Sequence, residues 1–238
     1  MTESKTNRGG TEREIRRKLL QAIFEQRMPP GVRLPEEALA ETFDVSRTVI
    51  RQVIARMAQD GLLIKKSNGA TCVAAPTKQE MRQILTVRKM VEPEIVRGLA
   101  RSYGVLSFQE LSDHLTLEDN ARKKNDRATL VRLTGEFHLH LVELTKNEIL
   151  IKLITGLQAL TCLGILCYAG DDDACPDADH RQVFDALQCG NAQAAADLML
   201  HHLNHIEESL SLEDGARELT VSKTLDWLSV RFRDEVRR

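Results

Sequence analysis

Three arginines near the N-terminal end of the chain have the chemistry and spacing for reading nucleic acid. Arg47, Arg51 and Arg56 follow Ser46 at helical spacing in SRTVIRQVIARM, with Thr48 between the first two. A guanidinium donates two parallel hydrogen bonds to guanine, and Ser or Thr hydroxyls bond phosphate or base edges. Residues at the start of a helix can reach such edges, which makes Ser46, Arg47, Thr48 and Arg51 candidate DNA contacts. Lys65, Lys66 and the backbone at Gly69, in KKSNG, are candidates for phosphate or the minor groove.

These groups act only if neighbouring elements present them. Glu36 begins a short helical pattern, ALAETF; Asp44-Val45 reads as a tight turn, and Ser46 can cap a second helix running to Met57. Two helices joined by a short turn make a helix-turn-helix. After Asp60-Gly61, the runs Leu62 to Ile64 and Ala70 to Ala74 flank a polar tip and predict a β-hairpin, which makes the motif winged. Ahead of it, Thr11 is the expected cap of a helix to Gln26 with Ile15, Leu19 and Ile23 on one face, preceded by a flexible arm over residues 1–10.

The rest of the chain has helical periodicity and few strand signals. Amphipathic helices are predicted near 77–101, 107–123, 126–145, 147–169, 177–189, 191–211 and 216–235, with breaks at Gly104, Asn125, Lys146-Asn147, Gly170 to Asp173 and Gly190-Asn191. The expected fold is mainly α: an N-terminal winged helix-turn-helix over 11–76, an antiparallel all-α bundle of six to seven helices over 77–213, and a C-terminal helix or tail over 214–238. Leu150, Leu153, Ile154, Leu157 and Leu160 read as core. The run Asp171-Asp172-Asp173 reads as a solvated acidic turn.

Composition agrees with a soluble helical protein. Of 238 residues, 42% are hydrophobic and 29% charged, which excludes wholesale disorder, and 4% are aromatic, which argues against an aromatic-rich sandwich or barrel. The net charge of -2 hides an asymmetry: residues 1–76 carry 13 basic against 9 acidic groups, and 77–238 carry 20 against 26. The positive balance thus falls on the segment with the candidate DNA readers. The five cysteines, Cys72, Cys162, Cys167, Cys175 and Cys189, form no CxxC pair and suit reduced thiols. The polar start lacks an apolar signal core, and the apolar stretch from Leu157 to Ala169 is too short for a bilayer, so a cytoplasmic protein with no membrane partner is expected.

The segment PPGVRLPEEALAETFDVSRTVIRQVIARMAQDGLL closely resembles the operator-binding stretch of the GntR superfamily of bacterial regulators. Val49-Ile50 stands where that family most often has Pro-Val, and both leading arginines are in place. The resemblance implies DNA binding with the helix from Ser46 as reader.

Three histidines fall in surroundings that resemble the FCD ligand-binding domain of the FadR subfamily: His138 in EFHLHLVEL, His180 in DADHRQVFDALQCGNAQAAADLM, and His202 in MLHHLNHIEESL. In many such domains these histidines, with an Asp or Asn four residues before the first, bind a divalent metal. The resemblance implies the same role for His138, His180 and His202, with Thr134 at the acid or amide position. Neutral imidazoles suit Zn²⁺ or Ni²⁺, while a hydroxyl is a weak ligand, so Thr134 is expected to weaken the site. His140, His201 and His205 lie off the matched positions, and His114 has no motif around it. Arg88, in TVRKMVEP, resembles the family's R-x-x-LE and can pair with a ligand carboxylate or with Glu92 at i+4.

The reading that follows is a ligand-responsive regulator, not an enzyme, that binds a pseudo-palindromic operator as a homodimer and answers to a small carboxylate effector. Two alternatives remain at this level. One is a metal-dependent hydrolase, disfavoured because no HExxH, paired catalytic carboxylates or nucleophile elbow accompanies the histidines. The other is a metal-free regulator in which Thr134 and the histidines hydrogen-bond the effector directly.

Overall fold

The computed structural model describes residues 4–169 and 179–210, with residues 4–9 described by backbone alone. It divides into two compact units, with the boundary between Ala75 and Pro76.

The first unit contains α1 (Ser4–Phe24), α2 (Glu36–Thr42), α3 (Arg47–Gln59), β1 (Leu63–Lys65) and β2 (Thr71–Val73). Ile15, Leu19 and Ile23 are fully buried, as their spacing on α1 predicts. The helix begins at Ser4 rather than at Thr11, so residues 4–10 are helical and not an arm. Gly9 and Gly10 each cost about 1 kcal/mol relative to Ala, which an already nucleated helix tolerates because each added residue gains a hydrogen bond. α1 ends where Gln26 takes a φ of 56° and the Arg27 N–H returns to the Ala22 carbonyl.

The turn between α2 and α3 rests on Asp44 at φ 50° and on the Val45 N–H donating to the Ala40 carbonyl. Ser46 occupies the N-cap of α3, but its side chain makes no capping bond. Ile50, Val53, Ile54 and Met57 form the buried face of α3, leaving its other side to solvent. The hairpin pairs Leu63 with Val73 and Lys65 with Thr71. The segment before α2 adds a third edge that the sequence did not announce, through an antiparallel bridge between Arg33 and Cys72 and a Leu34 N–H bond to the Thr71 carbonyl.

The second unit contains α4 (Lys78–Arg101), α5 (Gln109–Lys123), α6 (Arg127–Glu143), α7 (Glu148–Tyr168), α8 (Asp179–Gln188) and α9 (Ala192–Ser209). Starts were legible because caps are local: Thr77 and Glu80 form a capping box, and Asp126, Asn147 and Asn191 accept from the first turns of α6, α7 and α9. α4 packs along α9 and against α7, α5 against α6, and α8 against α9. Pro93 lies inside α4 and is itself buried, so tertiary packing offsets the missing backbone bond.

α7 corrects two expectations. It is 21 residues long and apolar enough to cross a membrane by composition, longer than the stretch read from Leu157 to Ala169. It serves instead as a bundle helix packed on α4 and α6. Its buried face is Ile154, Gln158, Ala159, Thr161, Cys162, Leu163 and Gly164, whereas Leu153 is exposed and Leu150, Leu157 and Leu160 are half-buried. Leu150, Leu157 and Leu160 pack against the core from the edge of this face, and Thr161 within it accepts from the buried Arg88. At Gly164 an added Cβ would sit 2.2 Å from the Met81 sulfur, so α4 and α7 meet where a side chain is missing. The acidic run 171–173, Cys175 and the helix expected at 216–235 lie outside the described residues.

Candidate nucleic-acid interface and metal centre

On the first unit, Ser46, Arg47, Thr48 and Arg51 all face solvent from the first turns of α3, as do Lys65, Lys66 and Gly69 at the tip of the hairpin. The two leading arginines are not idle. Arg51 Nε donates to Glu36 Oε2 at 2.7 Å, and Arg47 lies 4.0 Å from Glu37. Both acids sit in the first turn of α2, so that helix contacts the candidate side chains of α3. These pairs are exposed and weak, and a phosphate or guanine can replace the carboxylates. Arg56 belongs elsewhere: it pairs with Glu12 of α1 at 3.2 Å and ties α3 to its supporting helix. Gly69 takes a φ of 81° and its N–H donates to the Lys66 carbonyl, so it contributes a turn conformation rather than a free amide.

In the second unit, three histidines from three helices come together in the interior. His138 projects from α6, His180 from α8 and His202 from α9, and all are buried. His202 Nε2 lies 3.1 Å from His180 Nε2 and 3.2 Å from His138 Nε2. One ring nitrogen from each thus lies within 4.8 Å of the others.

Each outer nitrogen meets a carboxylate. His138 Nδ1 donates to Glu92 Oε2 at 2.6 Å, His180 Nδ1 to Glu118 Oε2 at 2.9 Å, and His202 Nδ1 to Asp179 Oδ2 at 3.2 Å. An ionised carboxylate only accepts, so the ring proton sits on Nδ1 in each case and the Nε2 lone pairs face one another. Carboxylate–histidine pairs of this kind set the tautomer and raise ligand basicity in metal sites. Phe137, fully buried beside His138 in sequence, stacks on the His180 ring at 4.0 Å and fixes its plane.

The electrostatics favour a neutral His138 and ionised carboxylates around it. Burial pushes the pKa of His138 down to about 3, overriding the pull of Glu92. Burial alone would raise Glu118, but the neighbouring His180 and His114 lower it to about 2. Burial likewise opposes ionisation of Asp179, and its bonds from His202 and His205 bring it to about 2. Glu92 is held well below the carboxylate range because Arg88 and His138 outweigh its burial. Arg88 pairs with Glu92, leaving Glu118 and Asp179 as two further carboxylates around the three histidines. That balance suits a dication, and the donor set suits a borderline transition ion.

Arg88 is completely buried, with Nε 2.5 Å from Glu92 Oε1 and Nη1 3.1 Å from Thr161 Oγ1. Of its two expected roles, the pair with Glu92 is the one found, and it extends through Glu92 to His138. Thr134 is on α6 one turn from His138, and its hydroxyl donates to the Val131 carbonyl at 3.1 Å. Glu118 and Asp179 were missed by sequence reasoning, although Asp179 directly precedes His180 and Glu118 stands four residues after His114. His114 is also buried, donating from Nε2 to the Leu133 carbonyl at 2.8 Å, so it supports the site from α5.

Comparison with known proteins matches both units. Residues 11–73 match the gntR family of bacterial regulatory proteins, and residues 83–205 match the FCD domain. The uncharacterized HTH-type transcriptional regulator YdhC of Bacillus subtilis (strain 168) is 29% identical over 202 residues, covering 83% of this chain and 90% of that protein. The HTH-type transcriptional repressor RspR of Escherichia coli (strain K12) is 23% identical over 201 residues, covering 83% and 87%. Among solved structures, a transcriptional regulator GntR from Rhodococcus sp. RHA1 superposes with a TM-score of 0.72 at 23% identity, covering 84% of this chain and 96% of the other. E. coli McbR/YncC gives 0.71 at 17% identity, covering 82% and 93%, and both agree in fold.

Proposed function

The chain belongs to the GntR family of bacterial regulatory proteins, with an FCD domain as its second unit, and from that premise we propose a regulator whose operator affinity answers to a small carboxylate effector at a metal held by His138, His180 and His202. That it is a DNA-binding transcriptional regulator and not an enzyme follows from the families and relatives it matches. A bacterial regulator of this kind works in the cytoplasm, where its operator is.

The observation that carries the metal reading is the convergence of three Nε2 atoms whose Nδ1 partners are all carboxylates. Lone pairs 3.1 and 3.2 Å apart repel unless a cation is shared between them. His138, His180 and His202 would hold a divalent ion, which would supply that cation and a Lewis-acidic partner for an effector carboxylate. Glu92, Glu118 and Asp179 orient the imidazoles and keep their lone pairs inward. Arg88 holds Glu92 in this reading, and Thr134, one turn from His138, adds no charge to the site.

On the DNA side, Arg47, Thr48 and Arg51 read base edges and Ser46, Lys65 and Lys66 engage phosphate, with Gly69 shaping the wing tip. One such unit covers a small footprint, and a two-fold pair doubles it on a pseudo-palindromic operator. Met90 and Ile149, 70% and 77% exposed, offer apolar surface for a second copy. The reading is tested on protein purified without chelator or metal-affinity resin, by elemental analysis and by operator affinity with and without chelation and added carboxylic acids. A bound ion that is lost with His138→Ala/His202→Ala, and a carboxylate effect that needs it, support the proposal. A carboxylate effect without metal would favour direct hydrogen bonding by the histidines and Thr134.

A further inference from the structure

Outside the buried triad, a second group of metal-binding side chains is built on the solvent side of α9. His201 and His205 are one helical turn apart, their ring centroids separated by 4.0 Å. His205 Nδ1 donates to Asp179 Oδ2 at 2.9 Å. One ligand atom from each of Asp179, His201 and His205 lies within 4.8 Å of the others. His201 is exposed, His205 half-buried and Asp179 buried, so the cluster opens to solvent from an anchored base.

We propose that Asp179, His201 and His205 form a second, peripheral site for a divalent transition ion, separate from the triad of His138, His180 and His202. Two imidazoles and one carboxylate select ions that favour nitrogen, such as Zn²⁺, Ni²⁺ or Cu²⁺, over Mg²⁺ or Ca²⁺. The histidines are held at one turn by a helix that packs on α4 and α8, so little freedom is lost on chelation. Asp179 is pre-aimed, because its Oδ2 also accepts from the buried His202. The same carboxylate therefore touches both groups. With His201 exposed and His205 half-buried, solvent competes for its donors and the peripheral site binds more weakly than the buried one.

The test is Zn²⁺ binding to the full chain, purified without a polyhistidine tag, by equilibrium dialysis. The variants are the pairs His201→Ala/His205→Ala and His138→Ala/His202→Ala, with His205→Gln as a substitution that keeps a donor toward Asp179. The expected result is two equivalents in the wild type. The outer pair of substitutions and His205→Gln should each remove or weaken the looser equivalent at least tenfold and leave the tight one. The inner pair should remove the tight one alone. If the wild type binds one equivalent, lost with His205→Gln but kept in the inner variant, the peripheral site stands and the triad's metal reading falls. Zn²⁺ binding identical in the wild type and the outer variants overturns the proposal.

Discussion

Glu118 Oε2 lies 2.9 Å from His180 Nδ1, joining α5 to α8 across 62 positions of sequence. The bond places the imidazole proton on the outer nitrogen and turns the Nε2 lone pair toward His202. Replacing this acceptor tests whether the outer carboxylates make the triad a metal site.

Glu118→Gln should lower affinity for Zn²⁺ about 10- to 100-fold, the range expected on loss of an acid that orients a ligating histidine. Calorimetric titration checks this, with operator affinity of the metal-free protein as the control that should not move. Unchanged Zn²⁺ affinity would mean the carboxylate has no part in ion binding.

Thr134→Asp should tighten metal binding, by about tenfold or more, because it places an anionic oxygen one helical turn from His138. Glu118 and Asp179 already supply negative charge, so the wild type retains measurable affinity. If wild type and variant bind equally, the missing acid at this position is irrelevant.

Arg47→Ala or Arg51→Ala should each cost about 1–3 kcal/mol on a cognate operator and flatten base preference at the contacted position. Lys65→Ala and Lys66→Ala should instead weaken all sequences alike and lower the salt slope by about one unit for each phosphate no longer neutralised. Fluorescence anisotropy over a salt series separates the two behaviours. Undiminished specificity in both arginine variants would remove α3 as the reading helix.

Arg88→Met should destabilise the fold by about 3–5 kcal/mol, since it strands the buried Glu92 charge. The double variant Arg88→Met/Glu92→Leu should recover much of that loss. Denaturant unfolding of the three proteins gives the comparison, and a single variant as stable as wild type would show that Glu92 finds another partner.

The metal-free protein should lose stability on acidification. His138 is held near a pKa of about 3 in the fold against 6.5 ordinarily, so the unfolded chain takes up its proton first and stability falls from about pH 6.5 downward. Glu118 is lowered to about 2, and its contribution, complete above its ordinary 4.5, is lost as pH falls toward that value. Denaturation midpoints from pH 7 to pH 4 should therefore decline, and His138→Gln should flatten the upper part of the decline. A rise in stability on acidification would mean that the triad shares a proton.

The local features were legible in the sequence alone because their causes are local. The breaks at Lys146-Asn147 and Gly190-Asn191 fall where Asn147 and Asn191 cap α7 and α9, Asp44 marks the turn before α3, and the spacing of Ile15, Leu19 and Ile23 identifies a buried face. The candidate readers on α3 were named from residue type, helical position and resemblance, and the three histidines from resemblance in their surroundings. Tertiary structure decided what those residues are tied to. Glu118 and Asp179 become partners of His180 and His202 only when α5, α8 and α9 pack, and Arg88 reaches Thr161 across 73 positions. Spacing along one helix cannot reveal such pairings, because they depend on how helices are rotated against one another. That rotation is set by collective burial: on α7 Thr161 is buried and accepts from Arg88 while Leu153 is left exposed, and a buried polar group costs free energy unless it is hydrogen-bonded.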